Sequence, residues 1–148
     1  MKSTDPPIVK EQSFSTSVDE LWKAISELEQ MKQWFFDNIP SFKAEVGFST
    51  SFVVENQGRV FLHRWMITEV VPLKKIAYNW RYEGYPGDAA VIFELQEDQG
   101  QTHLRVKHIV LEDYPPDIPE FARKNCDEGW TYFIQKRLKQ YLTEKAEV

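Results

Sequence analysis

The chain is poor in the residues that most simple functional motifs need. It has one cysteine, Cys126, among 148 residues. An internal disulfide is therefore excluded, and a reducing compartment fits. The 6 glycines form no glycine-rich phosphate loop. The 18 basic residues are outnumbered by 23 acidic ones, for a net charge of -5. A nucleic-acid partner, which would require a basic face, is not expected. The 3 histidines are His63, His103 and His108. His103 and His108 stand five apart on one expected strand and so point to opposite faces. No His/Cys/Asp group has metal-ligand spacing, so neither a metal nor a cofactor is expected. No apolar run approaches the roughly 18 residues that span a bilayer. Met1 to Ile8 carries one lysine and two prolines and no apolar segment of a secretory leader. The expectation is a cytoplasmic protein without a membrane partner, monomeric or weakly dimeric.

What the chain does have is rings: 5 Trp, 6 Tyr and 10 Phe. With 42% hydrophobic residues it can bury one real core, and its length suits one domain over 1–148. The core is expected at about 8–143, with frayed tails at 1–7 and 144–148. Rings in this number either fill a thick core or line a pocket.

Hydrophobic periodicity divides the chain. Ile8 to Phe14 has strand length. Ser17-Val18-Asp19-Glu20 is a capping box, in which Ser17 accepts from the Glu20 amide and Glu20 reaches back. Val18, Leu21, Trp22, Ile25 and Leu28 then follow at helical spacing. A second short helix carries Met31, Trp34 and Phe35 and stops before Pro40. From Ala44 to Glu112 the period becomes two, and turn signals cut out strands at about 44–55, 59–71, 75–83, 88–97 and 101–112. Short turns between them make an antiparallel meander. The expected inward rows are Val46, Phe48, Thr50, Phe52 and Val54; Phe61, His63, Trp65 and Ile67; Ile76, Tyr78, Trp80 and Tyr82; Val91, Phe93 and Leu95; and Thr102, Leu104, Val106, His108 and Val110. In the second of these, the opposite face is nearly as apolar.

After Tyr114-Pro115-Pro116, Asp117 is a plausible N-cap for a helix from about Pro119 to Leu142. Its stripe runs Ala122, Cys126, Trp130, Phe133, Ile134, Leu138 and Tyr141. A helix of about 24 residues at roughly 1.5 Å per residue can lie along a whole sheet of ten-residue strands. The fold class is therefore α+β: about six antiparallel strands in a curved sheet around a long C-terminal helix, with two short helices after the first strand.

Several segments sharpen this order: Phe14 followed by Ser17-Val18-Asp19-Glu20-Leu21-Trp22; Trp34-Phe35; Ile67-Thr68-Glu69-Val70-Val71-Pro72; Ile76-Ala77-Tyr78-Asn79-Trp80; Thr102-His103-Leu104-Arg105-Val106 up to His108; and Gly129-Trp130 followed by Leu138 and Tyr141-Leu142. With them the chain resembles the SRPBCC (START-like, birch-pollen-allergen-like) superfamily. Within it, the chain is similar to homologues of the activator of the 90-kilodalton heat-shock chaperone ATPase. It departs from that pattern at Glu45-Val46-Gly47-Phe48-Ser49, where a Pro-Gly-Gly type turn is usual, and at Arg64-Trp65, where a glycine is common. The resemblance implies a helix-grip fold with an apolar cavity between sheet and helix. It also implies one of three roles: binding of an apolar small molecule, some of it stress-related; docking on the chaperone; or polyketide-cyclase-like catalysis.

The expected ligand-binding set is Phe48, Phe52, Trp65, Tyr78, Trp80, Tyr82, Phe93, His108, Cys126, Trp130, Phe133 and Ile134. An aromatic core without a cavity explains the same rings. His108 interrupts an apolar inward row, so it needs a partner, either a backbone carbonyl or the hydroxyl of Tyr78 or Tyr82, or else it anchors a ligand. Cys126 and His108 can meet, but a buried cysteine is usually an inert small hydrophobe, and no catalytic residue is assigned. Glu69 and Glu94 fall outward as solvated charges. Gly129 costs about 1 kcal/mol relative to Ala in mid-helix, which is explained by close helix–sheet packing or by room for a ligand, the former expected.

Overall fold

The computed structural model describes residues 1–146. The elements are β1 (Ile8–Phe14), α1 (Val18–Ser26), α2 (Leu28–Trp34), β2 (Ser49–Asn56), β3 (Arg59–Val71), β4 (Lys75–Tyr82), β5 (Asp88–Asp98) and β6 (Gln101–Glu112). A 3₁₀ turn (Pro119–Phe121), α3 (Arg123–Trp130), a π-helical segment (Thr131–Leu138) and α4 (Lys139–Ala146) complete the chain. The sheet is antiparallel, in the order β1-β6-β5-β4-β3-β2. This is the expected helix-grip arrangement.

Two hairpins are closed by two-residue loops whose central residues both take positive φ: Gln57 and Gly58 between β2 and β3, and Gln99 and Gly100 between β5 and β6. That geometry matches the twist of the flanking strands and fixes the register. The register puts Phe61, His63, Trp65 and Ile67 inward, all buried. It likewise buries Ile76, Tyr78 and Trp80, the row Val91-Phe93-Leu95, and Thr102, Leu104, Val106, His108 and Val110. A register shift between Ile67 and Glu69 marks a bulge in β3, with Thr68 the extra residue opposite β4.

The ends of several elements differ from expectation. β2 begins at Ser49, not near Ala44, because Gly47 at φ 91° turns the chain there. Its amide donates to the Ile67 carbonyl and the Phe48 amide to the Glu45 carbonyl, which leaves Val46 67% exposed and outside the inward row. Only half of the capping box forms. Ser17 Oγ accepts from the Glu20 amide at 3.2 Å, but Glu20 pairs with Lys145 at 3.2 Å rather than reaching back. The Val18 amide instead donates to Glu97 at the end of β5.

Asp117 caps no helix. Ala122, extended and exposed, separates the 3₁₀ turn from α3 and is the N-cap without a side-chain bond. Phe121 takes the buried place assigned to Ala122. Glu120 binds Arg59 and Asn56. From Arg123 the helix runs unbroken to Ala146. Its most buried residues are Trp130, Ile134, Leu138 and Leu142, four apart. A four-residue repeat runs ahead of a 3.6-residue turn. The wider turns of the π segment take up that drift and keep the stripe on the sheet.

The N-terminal segment is held by contacts. The Met1 amine donates to the Phe121 carbonyl, the Tyr114 amide donates to the Met1 carbonyl, and Ser3 N donates to Asp113. The expected frayed segment 1–7 is thus pinned to the loop before α3. At the other end, 144–146 is helical, and 147–148 lie outside the described residues.

Candidate functional site

Between the sheet and the C-terminal helix the core divides into two regions. Toward the bulge in β3 it is solid. Trp65 stacks on Phe35 at 5.3 Å and meets Phe52 at 4.8 Å and Tyr78 at 4.9 Å between ring centroids. Phe93 and Ile134 close this region, almost wholly buried. Phe48 lies at its margin against Phe42. Phe48, Phe52, Trp65, Tyr78, Phe93 and Ile134 therefore belong to packed core. The Tyr78 hydroxyl and Trp65 Nε1 have no partner there. Full burial pushes the Tyr78 hydroxyl well above its usual pKa.

The other region holds a cavity of about 180 Å³. Its floor is Phe61 and His63 of β3, Trp80 and Tyr82 of β4, and His108 of β6. Its roof is Cys126, Gly129, Trp130 and Phe133 of the helix, with Phe36 and Phe121 at the sides. The lining continues to Asn56 and Asn125, both exposed, so the cavity reaches the surface. Six of the twelve expected residues thus line it: Trp80, Tyr82, His108, Cys126, Trp130 and Phe133.

Gly129 is not a point of close packing. A Cβ built on it meets nothing within 4 Å. The missing side chain leaves space in the cavity roof rather than letting two backbones approach.

The polar groups of the lining have defined hydrogen positions. Trp130 Nε1 donates to His108 Nδ1 at 3.1 Å. The expected partners of His108, Tyr78, Tyr82 or a carbonyl, are not used. An indole N–H only donates, so Nδ1 is the unprotonated nitrogen and Nε2 carries the hydrogen. His108 is 4% exposed, and its Nε2 has no partner. His63, 5% exposed, is the opposite tautomer. Its Nδ1 lies 3.2 Å from the Phe61 carbonyl oxygen, which only accepts. Nδ1 therefore holds the proton and Nε2 presents a lone pair. Trp80 Nε1 donates to the Tyr82 hydroxyl at 2.9 Å, leaving the Tyr82 hydrogen free to donate.

Burial lowers both imidazole pKa values to about 4, aided at His108 by the charge of Arg123 and opposed at His63 by the Phe61 carbonyl. Both rings are neutral at neutral pH. Burial also pushes the Cys126 thiol up to about 12, with Asp127 adding to the shift. Cys126 Sγ lies 3.7 Å from His108 Nδ1, but these shifts oppose the thiolate–imidazolium pair that nucleophilic catalysis needs. Among the described residues no His/Cys/Asp/Glu cluster is placed to hold a metal ion. No described helix is long and apolar enough to cross a membrane.

His63, Phe36, Val54, Phe61 and Phe121 are cavity residues outside the expected set. The inward row of β3 already contained Phe61 and His63. Phe36 follows the last residue of its short helix by two, where periodicity gives no signal.

Comparison with solved structures places the chain among helix-grip proteins. DynU16, from the dynemicin biosynthetic locus, is 22% identical with a TM-score of 0.75; 95% of this chain and 48% of DynU16 are covered. The chain thus spans about half of that protein. A Mesorhizobium loti protein is 23% identical with a TM-score of 0.73, over 94% of this chain and 98% of the other. The Aha1 dimer from Colwellia psychrerythraea is 19% identical with a TM-score of 0.68, over 93% of this chain and 96% of the other. These likenesses establish the fold. No curated protein matches the chain significantly. The family model described as activator of Hsp90 ATPase homolog 1-like protein matches residues 15–143, and with nearly its whole length covered the chain belongs to that family.

Proposed function

We propose that the chain binds a small apolar or aromatic molecule in the cavity between sheet and C-terminal helix, without catalysing a reaction on it. The observation that carries this is the cavity roof at Gly129: a glycine in mid-helix, costing about 1 kcal/mol against Ala, beside space in which a Cβ touches nothing. Such a position favours keeping the cavity open over packing it. The walls are rings with few polar groups, the usual composition of small-molecule sites. In another protein an apolar cavity of about 150 Å³ takes benzene, so about 180 Å³ suits a molecule of one or two rings. The single thiol, kept protonated by burial, suits a reducing cytoplasmic setting. Native mass spectrometry of protein purified from its own cells tests the proposal. The expected result is a co-purified mass released on mild activation; a protein carrying nothing and taking up no added aromatic compound refutes it.

The family match supports a second role, docking on Hsp90 as a small partner. Pull-down with purified Hsp90, with stimulation of its ATPase as readout, tests that role separately.

A further inference from the structure

We propose that the cavity selects an uncharged ring compound bearing a hydrogen-bond acceptor at one end and a donor at the other, the acceptor taken by His108 Nε2–H and the donor given to His63 Nε2. This rests on the binding function proposed above and deepens it.

The two histidines flank Trp80, with centroid separations of 5.6 Å for His63 and 6.3 Å for His108. Both line the same cavity. Each has one nitrogen fixed by the fold: His108 Nδ1 by the Trp130 indole, His63 Nδ1 by the carbonyl of Phe61. The remaining nitrogens are complementary, one a hydrogen and one a lone pair: His108 Nε2 is fully buried without a partner, and the only hydrogen bond His63 makes among the described residues is through Nδ1. A buried polar group without a partner costs stability. That cost falls on His108 Nε2, and a ligand that presents the inverse pattern satisfies it while also engaging the lone pair of His63 in the same cavity. The Tyr82 hydroxyl adds a second hydrogen and strengthens the demand for an acceptor such as a carbonyl oxygen. The one cationic group of the lining, the Met1 amine at the edge of the cavity, already donates to the Phe121 carbonyl, and no side chain of the floor or roof is a cation for an anion to pair with. A cation would face only one lone pair, with the carboxylate of Glu120 at the rim already engaged by Arg59.

Three probes of one ring size separate these contributions: 4-hydroxyacetophenone, 4-methoxyacetophenone and 4-ethyltoluene. Affinities are measured by calorimetry at pH 7 for wild type, His63→Phe and His108→Phe. One hydrogen bond corresponds to about 3–10-fold in affinity. His108→Phe should weaken both ketones by that factor and leave 4-ethyltoluene unchanged. His63→Phe should weaken only the hydroxyl-bearing ketone. A measurement on wild type needs no variant to fold: imidazole ¹⁵N spectra should show His108 protonated at Nε2 and His63 at Nδ1. Their free-side nitrogens should shift with 4-hydroxyacetophenone and not with 4-ethyltoluene. If the three probes bind equally and the ¹⁵N shifts do not discriminate, the polar selection is overturned while cavity binding stands. If the folded protein binds none of them, the binding function itself fails.

Discussion

Trp130 Nε1 lies 3.1 Å from His108 Nδ1, so the helix sets the protonation pattern of the sheet's buried histidine. Trp130→Phe keeps a ring and removes the donor. Nδ1 would then be buried with only the Cys126 sulfur near it, 3.7 Å away. The expected cost is about 1–3 kcal/mol, with a mixed His108 tautomer visible in ¹⁵N spectra. Trp130→Ala also opens the core and should cost roughly 3–5 kcal/mol. An unchanged tautomer in Trp130→Phe would remove the indole from this role.

Acid should destabilise the fold through its buried imidazoles. His63 and His108 have folded pKa values of about 4, below an unfolded value of roughly 6.5. Their neutral forms are favoured on folding, so stability is fully present above pH of about 6.5, falls as pH drops, and levels off below about 4. Each contributes roughly 3 kcal/mol over that window at 1.36 kcal/mol per unit. His108 is faced by Trp130, Cys126 and the charge of Arg123, and His63 by Phe36, Phe52, Trp80 and Tyr82. Urea titrations of His63→Phe and His108→Phe should each show a flatter dependence between pH 6.5 and 4. A slope equal to wild type in both would contradict the burial of neutral rings.

Cys126 should be slow to alkylate. With its pKa near 12, almost no thiolate exists at pH 8, whereas an ordinary thiol of pKa about 8.5 is substantially ionised there. Iodoacetamide labelling should be at least tenfold slower than for the same protein in urea. Equal rates would place the thiol in solvent.

Gly129→Ala should stabilise. The added methyl meets nothing within 4 Å, and Ala is better than Gly in a helix by about 1 kcal/mol. Gly87→Ala is the opposite case. There φ is 122° and a Cβ would collide with Tyr114 Cδ1, so the ring whose hydroxyl binds the Trp80 carbonyl must move. Thermal melts of the two variants should shift in opposite directions. A lower melting temperature for Gly129→Ala would mean that helix and sheet are in contact at that point.

The strands and their inward faces were legible because period-two alternation and two-residue turns act locally. His63 and His108 were placed inward from that pattern alone. Their partners were not legible, because the Trp130–His108 bond joins residues from different elements and depends on where the helix settles across the sheet. Half of the expected ligand set proved to be solid core for the same reason. Phe52, Trp65 and Phe93 share faces with cavity residues, and only the packing of Phe35 and Phe36 between them decides where space remains. Gly129 shows the limit most sharply: its sequence position fits close packing and open space equally well, and three-dimensional neighbours alone distinguish them.

The most direct test of the cavity as a binding site is titration of an apolar fluorescent dye into wild type and Gly129→Leu, both confirmed folded by their melting curves. Gly129 lines the cavity beside Cys126 and Trp130, and a Cβ there meets nothing within 4 Å, so the longer side chain is expected to take up cavity space. Saturable one-to-one binding by wild type, displaced by 4-hydroxyacetophenone and lost in Gly129→Leu, is the predicted result. Equal dye affinity in the two proteins, or no saturable binding by wild type, would contradict it.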